Sequence, residues 1–166
     1  IVIDADKVGH EAYARGSGCY DAVVDAFGAD VVGADGEIDR KALGGKVFGN
    51  PEQRNRLEGI VWPWMKATMA RRLEQSRTEG AGVVVLEAAV LIEADWIDIT
   101  DQVWVVIVPP ELARQRVIDD ARIAAQLKNE DRVKHANVVI ENTGTLEELK
   151  DKVDAAWATL KVGVTA

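Results

Sequence analysis

The chain has 166 residues, 48 % of them apolar and 29 % charged, and its 28 Asp and Glu against 20 Lys and Arg leave a net charge of −8. That length suits one domain with a real core, and an acidic balance without a basic run excludes a general binder of duplex nucleic acid, whose affinity comes from neutralising phosphates. Cys19 is the only cysteine, which excludes an internal disulfide and a cysteine zinc cluster and accords with a reducing, cytoplasmic setting; no apolar run is long enough to span a membrane.

Ile1-Val2-Ile3 runs straight into Asp4-Ala5-Asp6. Three β-branched residues before two acids predict a parallel strand buried on both faces by helices. In open α/β sheets, ligands sit outside the carboxyl ends of the strands. Asp4 and Asp6 lie two residues apart, so both would leave an extended chain on one side, placed to orient a hydroxyl or a magnesium ion. The alternative is that Asp6 only caps a helix beginning at Lys7. Residue 1 is Ile and falls inside the strand, so a preceding segment is expected.

Lys7 to Ala14 reads as a short helix with Val8, Ala12 and Tyr13 inward, broken by Arg15-Gly16-Ser17-Gly18. Ser17 is placed to cap a second helix, whose Tyr20, Val23, Val24 and Phe27 recur at helical spacing up to Gly28. Val31 and Val32 lead to a turn at Asp35-Gly36, where a short hairpin is an option. Asp39 caps a helix to about Phe48, with Leu43, Val47 and Phe48 inward. Asn50-Pro51-Glu52 restarts a helix. Pro63 marks a kink or a new start, and Glu79-Gly80-Ala81-Gly82 is the stop.

Val83 to Leu86 is the clearest strand signal and ends at Glu87; Val103 to Val108 is the next, stopped by Pro109-Pro110. Glu111 to Ile118 and Ala121 to Lys134 read as helices. Val138 to Ile140 is a short strand ending at Glu141-Asn142-Thr143-Gly144. Thr145 and Glu148 form a capping box for a last helix to about Leu160. Strands alternating with helices predict an α/β fold with a mainly parallel sheet flanked by helices.

The order of these pieces resembles the dephospho-coenzyme A kinase family, most closely the kinase domain of bifunctional eukaryotic coenzyme A synthases. Val2-Ile3-Asp4-Ala5-Asp6, Gly9-His10, Ala12-Tyr13 and Ala26-Phe27-Gly28 carry the resemblance first. Asp35 to Lys41, Leu57 to Pro63, Glu87 to Ala94 with Trp96, Ala121 to Gln126, and Val138 to Ile140 with Asn142 and Gly144 complete it to about Leu160. Trp62 before Pro63, where bacterial members usually have His, and Ala88-Ala89 point to the synthase type.

The resemblance implies a P-loop kinase-like domain over 1–166, with a helical acceptor-binding region at 37–80 and a lid at 110–134. It implies transfer of the ATP γ-phosphoryl group, with Mg2+, to the ribose 3′-hydroxyl of dephospho-coenzyme A. A fused or partner adenylyltransferase domain would accompany a synthase, and mitochondrial association would follow if the protein is of that eukaryotic type. Asp6 maps to the family's catalytic carboxylate and Arg116 to its lid arginine. Arg122 in the second lid helix, with Asn142 and Gly144 in the adenine-side loop, would meet the nucleotide. Asp4, Arg40, Glu87 and Glu93 would meet the acceptor. Each has a plain structural alternative: cap, helix-surface charge, salt bridge or strand-to-helix turn. Met65, Met69, Trp62 and Trp64 would either line an apolar channel or, more in keeping with their type, form core. The family's G-x-x-x-x-G-K-[ST] phosphate loop is not among these residues, so the chain is expected to be N-terminally incomplete. Val117-Ile118-Asp119-Asp120-Ala121 also stands where the family has a longer lid tip.

Overall fold

The computed structural model describes residues 1–116 and 127–160. The chain forms two compact units, Ile1–Ala89 and Val90–Ala166.

In the first unit, β1 (Val2–Asp4) pairs in parallel with β2 (Val85–Glu87), in the register Val2↔Val85, Ile3↔Leu86, Asp4↔Glu87. Between them come α1 (Ala5–Ala12), α2 (Tyr20–Phe27), a 3-10 turn at Ala29–Val31, α3 (Arg40–Val47) and α4 (Pro51–Thr78). A parallel pair needs a long crossover because its strands run the same way, and the helices supply it. Burial on both faces of the first strand is not what these residues show. Ile3 is buried, whereas Val2 is 66 % and Val85 41 % exposed, because alternate residues of a strand point to opposite faces.

The helix ends follow the sequence closely. Asp39 caps α3 by accepting the Lys41 and Ala42 N–H groups at 2.8 and 3.1 Å, and Asn50 caps α4 through Gln53 N–H at 3.2 Å. Pro63 does not end α4, which runs through it. The stop after Thr78 is a Schellman motif: Ala81 N–H reaches Ser76 O, Gly80 N–H reaches Arg77 O, and Gly80 takes φ +82°. Ser17 lies outside α2, yet its Oγ accepts the Tyr20 N–H at 3.0 Å and donates to Ala12 O at 2.6 Å. The hairpin option reduces to a single antiparallel bridge, Val32↔Ile38.

The core of this unit is built on α1 and α4. Val8, Ala12 and Met69 are fully buried, with Met65 and Leu43 nearly so. Helix α1 approaches closely at Gly9, where an added Cβ would stand 3.4 Å from Met65 Cε. The Arg72 guanidinium on α4 also pairs with Glu11 on α1. Met65 and Met69 are therefore core. Phe48 departs from its sequence reading: it follows the last turn of α3 and is 88 % exposed.

In the second unit, β3 (Trp104–Ile107) and β4 (Val138–Glu141) pair in parallel, Trp104 opposite Val138 and Ile107 opposite Glu141. Helix α5 (Pro110–Arg116) follows β3, α6 (Asn129–Val133) precedes β4, and α7 (Leu146–Ala158) follows it. Of the expected helix over 121–134, residues 121–126 lie outside the described residues, Leu127 and Lys128 are not helical, and Asn129–Val133 is. Trp96, before a 3-10 turn at Ile97–Ile99, is wholly buried. The capping box of α7 is present, with Thr145 N–H donating to Glu148 Oε2 at 2.7 Å and Glu148 N–H to Thr145 Oγ1 at 3.2 Å.

Candidate functional site

In the first unit the geometry begins with a turn that has no linker. Strand β1 ends at Asp4 and α1 begins at Ala5. The two acids therefore do not share one side of an extended strand. Asp4 is the N-cap, its Oδ1 accepting the backbone N–H groups of Asp6 at 3.0 Å and Lys7 at 3.2 Å. Asp6 is not the cap; it sits in the first turn of α1, exposed, where an anion suits the positive end of the helix.

The Lys7 N–H, more than any other contact, holds the Asp4 carboxyl below its ordinary value. The Lys7 ammonium adds to this from 3.5 Å, at Oδ2. Both Asp4 oxygens are thus engaged within their own turn. The Asp6 carboxylate makes no side-chain hydrogen bond or ion pair among the described residues. Glu87 stands opposite Asp4 in the β1–β2 register and is exposed. The strands are neighbours, so Glu87 and the Asp4-Asp6 turn share the carboxyl edge of one parallel pair. This is the position at which open α/β sheets bind ligands.

Arg40 is the first residue of α3 and is exposed. Its charge reaches the Tyr13 phenol, which burial pushes up and Arg40 partly draws back. Arg15 is a cation the sequence reading passed over. Its guanidinium stands over Gly36, where an added Cβ would lie 3.1 Å from a terminal nitrogen, and its backbone N–H donates to Glu37 Oε2 at 2.9 Å. Nothing in the local pattern Arg15-Gly16-Ser17 signals this, because its partners lie more than twenty residues on.

The second unit joins three of its predicted residues. Arg116, at the end of α5, donates from Nη1 to Asn142 O at 3.0 Å and from Nη2 to Gly144 O at 3.4 Å. Arg116 and the loop after β4 therefore meet through backbone carbonyls. Gly144 has a structural reason to be glycine, since a Cβ there would collide with the Glu148 carboxylate of the capping box. Glu93 Oε1 accepts the Leu127 N–H at 3.1 Å. Arg122 lies outside the described residues.

Among the described residues no three His, Cys, Asp or Glu side chains converge as a metal cage. Mg2+ in phosphoryl-transfer sites keeps several waters and takes one or two carboxylates plus substrate phosphates. An exposed Glu87 at a strand end fits that donor set. No helix among the described residues is long and apolar enough to cross a membrane.

Comparison with known proteins agrees with this architecture. The family model for dephospho-CoA kinase matches residues 1–148. A dephospho-CoA kinase of Geobacter sulfurreducens is 40 % identical over 167 residues, covering 95 % of this chain and 85 % of the relative. One from Symbiobacterium thermophilum is 39 % identical, covering 94 % and 69 %. A crystal structure from Thermus thermophilus superposes with a TM-score of 0.72 at 28 % identity, covering 96 % of this chain and 84 % of that one. A dephospho-CoA kinase from Campylobacter jejuni shares the fold, with a TM-score of 0.71 at 23 % identity over 95 % of this chain and 83 % of that one.

Proposed function

Because the chain belongs to the dephospho-CoA kinase family, we propose that it transfers the γ-phosphoryl group of ATP to the ribose 3′-hydroxyl of dephospho-coenzyme A, the last step in making coenzyme A. The observation that carries the residue assignment is the register Asp4↔Glu87. It supports a carboxylate-lined edge at the carboxyl ends of β1 and β2, with Asp6 in the next turn.

Phosphoryl transfer depends on positioning and on meeting charge. Asp6 orients the 3′-hydroxyl and takes its proton as the new O–P bond forms; the bond from the γ-phosphorus to the bridging oxygen breaks, and ADP leaves with that electron pair. Arg40 offers the acceptor's phosphates a planar, permanently charged fork. Arg116 brings the same chemistry to the nucleotide, beside Asn142 and Gly144, with Arg122 as a second lid cation. The support for Glu93 as an acceptor ligand is its motif alone, since its Oε1 already holds the Leu127 N–H. Mg2+, bound with the nucleotide, would neutralise phosphate charge, and Glu87 is the residue suited to hold its water shell. The backbone cradle of a Gly-rich phosphate loop, a motif absent from these 166 residues, is the remaining part that ATP binding needs. The support for a synthase-type kinase domain is Trp62 before Pro63 and Ala88-Ala89 alone. An adenylyltransferase, fused or separate, would supply the acceptor, which is itself an adenylylated compound.

The test is ADP release by the full-length protein with ATP and dephospho-coenzyme A, against a panel of nucleosides and nucleoside monophosphates. The expected result is turnover with dephospho-coenzyme A and little with the panel. Preference for a panel member would replace this acceptor assignment.

A further inference from the structure

Resting on the reading of Asp6 as the carboxylate that meets the acceptor hydroxyl, we propose that Asp4 is its positioning residue, acting through the backbone of the turn rather than by touching acceptor or metal. The strand passes into the helix without a single intervening residue, so the direction of the Asp6 side chain is set by the first turn of α1. That turn is held from two sides. Ala5 and Val8 are buried and fix the helix against the core. On the open side, Asp4 Oδ1 takes the N–H of Asp6 itself at 3.0 Å, together with that of Lys7 at 3.2 Å.

The Asp6 side chain has no hydrogen bond or ion pair of its own among the described residues. The Asp4 bond to its peptide nitrogen is therefore the nearest polar restraint on where that carboxylate points. The other Asp4 oxygen faces Lys7 Nζ at 3.5 Å, so Asp4 spends both oxygens inside the turn. A small misplacement of a reacting group costs far more rate than binding. Loosening this turn should accordingly appear in turnover and not in substrate affinity.

The prediction turns on what Asn preserves. Asn keeps the amide oxygen that accepts both N–H bonds and caps a helix about as well as Asp, but it has no charge for a metal or a phosphate-bound water. In the full-length protein, Asp4→Asn, Asp4→Ala and Asp6→Asn are compared with wild type, with both substrates saturating and well below the melting temperature. Positioning predicts that Asp4→Ala lowers kcat by about 10- to 100-fold with KM for dephospho-coenzyme A and ATP nearly unchanged. It predicts that Asp4→Asn stays within about threefold of wild type, and that Asp6→Asn is the most damaged, by about 10²- to 10⁴-fold. Asp4→Asn as inactive as Asp4→Ala would overturn the proposal, because charge and not the cap would then matter. A normal kcat in Asp4→Ala would overturn it too, leaving Asp4 a stability cap only. If Asp4→Ala does not fold, Asp4→Gly takes its place, because Gly removes the accepting oxygen yet is well tolerated at a helix N-cap; the same loss of kcat is expected of it, and a normal kcat there overturns the proposal. Near-normal turnover in Asp6→Asn is a separate result: it removes the reading of Asp6 beneath the proposal, and the proposal with it.

Discussion

Asp4 shows how one carboxylate ties pH to local structure. Hydrogen bonds and charge from Lys7 lower its pKa from 3.8 in the folded protein. A depressed carboxylate contributes stability that is fully present above its unfolded value and lost as pH falls through the folded one. The cap should therefore hold down to about pH 3.8 and fail only below it. The Asp6 and Lys7 amide resonances, followed by NMR, should titrate with a midpoint under 3.8; a midpoint above that value would show that the cap bonds are not made in solution. Arg116 makes a different prediction. Its guanidinium is directed at the carbonyls of Asn142 and Gly144, and in the reaction it would meet developing charge. Arg116→Ala should lower kcat by about 10²- to 10³-fold and change acceptor KM little. A mutant altered only in acceptor KM would move Arg116 to the acceptor side. The sequence marked both residues; the Asp4 partners lie within its own turn, whereas those of Arg116 lie 26 and 28 residues on, where no local pattern encodes them.

Among the elements, helix ends were the most legible. Asp39, Asn50-Pro51, Glu79-Gly80 and the Thr145–Glu148 box all act as their residue types indicate, because a cap is chemistry within a few residues of itself. The first cap differs from the option the sequence offers: Asp4, not Asp6, holds α1. Either Asp satisfies the local rule, and the strand-to-helix junction chose between them. Gly144 links an element to the candidate site. A side chain there would push the Glu148 carboxylate out of its bond with Thr145 N–H. Gly144→Ala should fray the first turn of α7 and lower Tm by about 2–4 °C, the effect of losing one N-cap in a chain of this size. Unchanged Tm and unchanged amide protection at 146–149 would show that the capping box is dispensable.

For the whole molecule, membership of a kinase family makes ligand binding a stability measurement. A ligand that binds only the folded state stabilises it by about 2.7 kcal/mol at about a hundred times its Kd. At about 2–4 °C per kcal/mol, dephospho-coenzyme A should raise the Tm of the full-length protein by about 5–10 °C. Coenzyme A, whose 3′ position is already phosphorylated, should do so less at equal concentration. An equal shift from both, or none from either, would argue that the ribose 3′-hydroxyl is not what the acceptor site reads.

The alternation of apolar runs with amphipathic segments was enough to determine the α/β class, and the order of its motifs was enough to determine the family. Both are read along the chain, without knowing which segments pack together. Tertiary structure alone decided that β1 and β2 are partners with Asp4 opposite Glu87, that Arg116 closes on the loop after β4, and that Met65 and Met69 are core while Phe48 is not. Register is set by packing across more than eighty residues, and burial by which face of a helix finds a neighbour. An apolar side chain carries the same signal in sequence whether or not that neighbour is there.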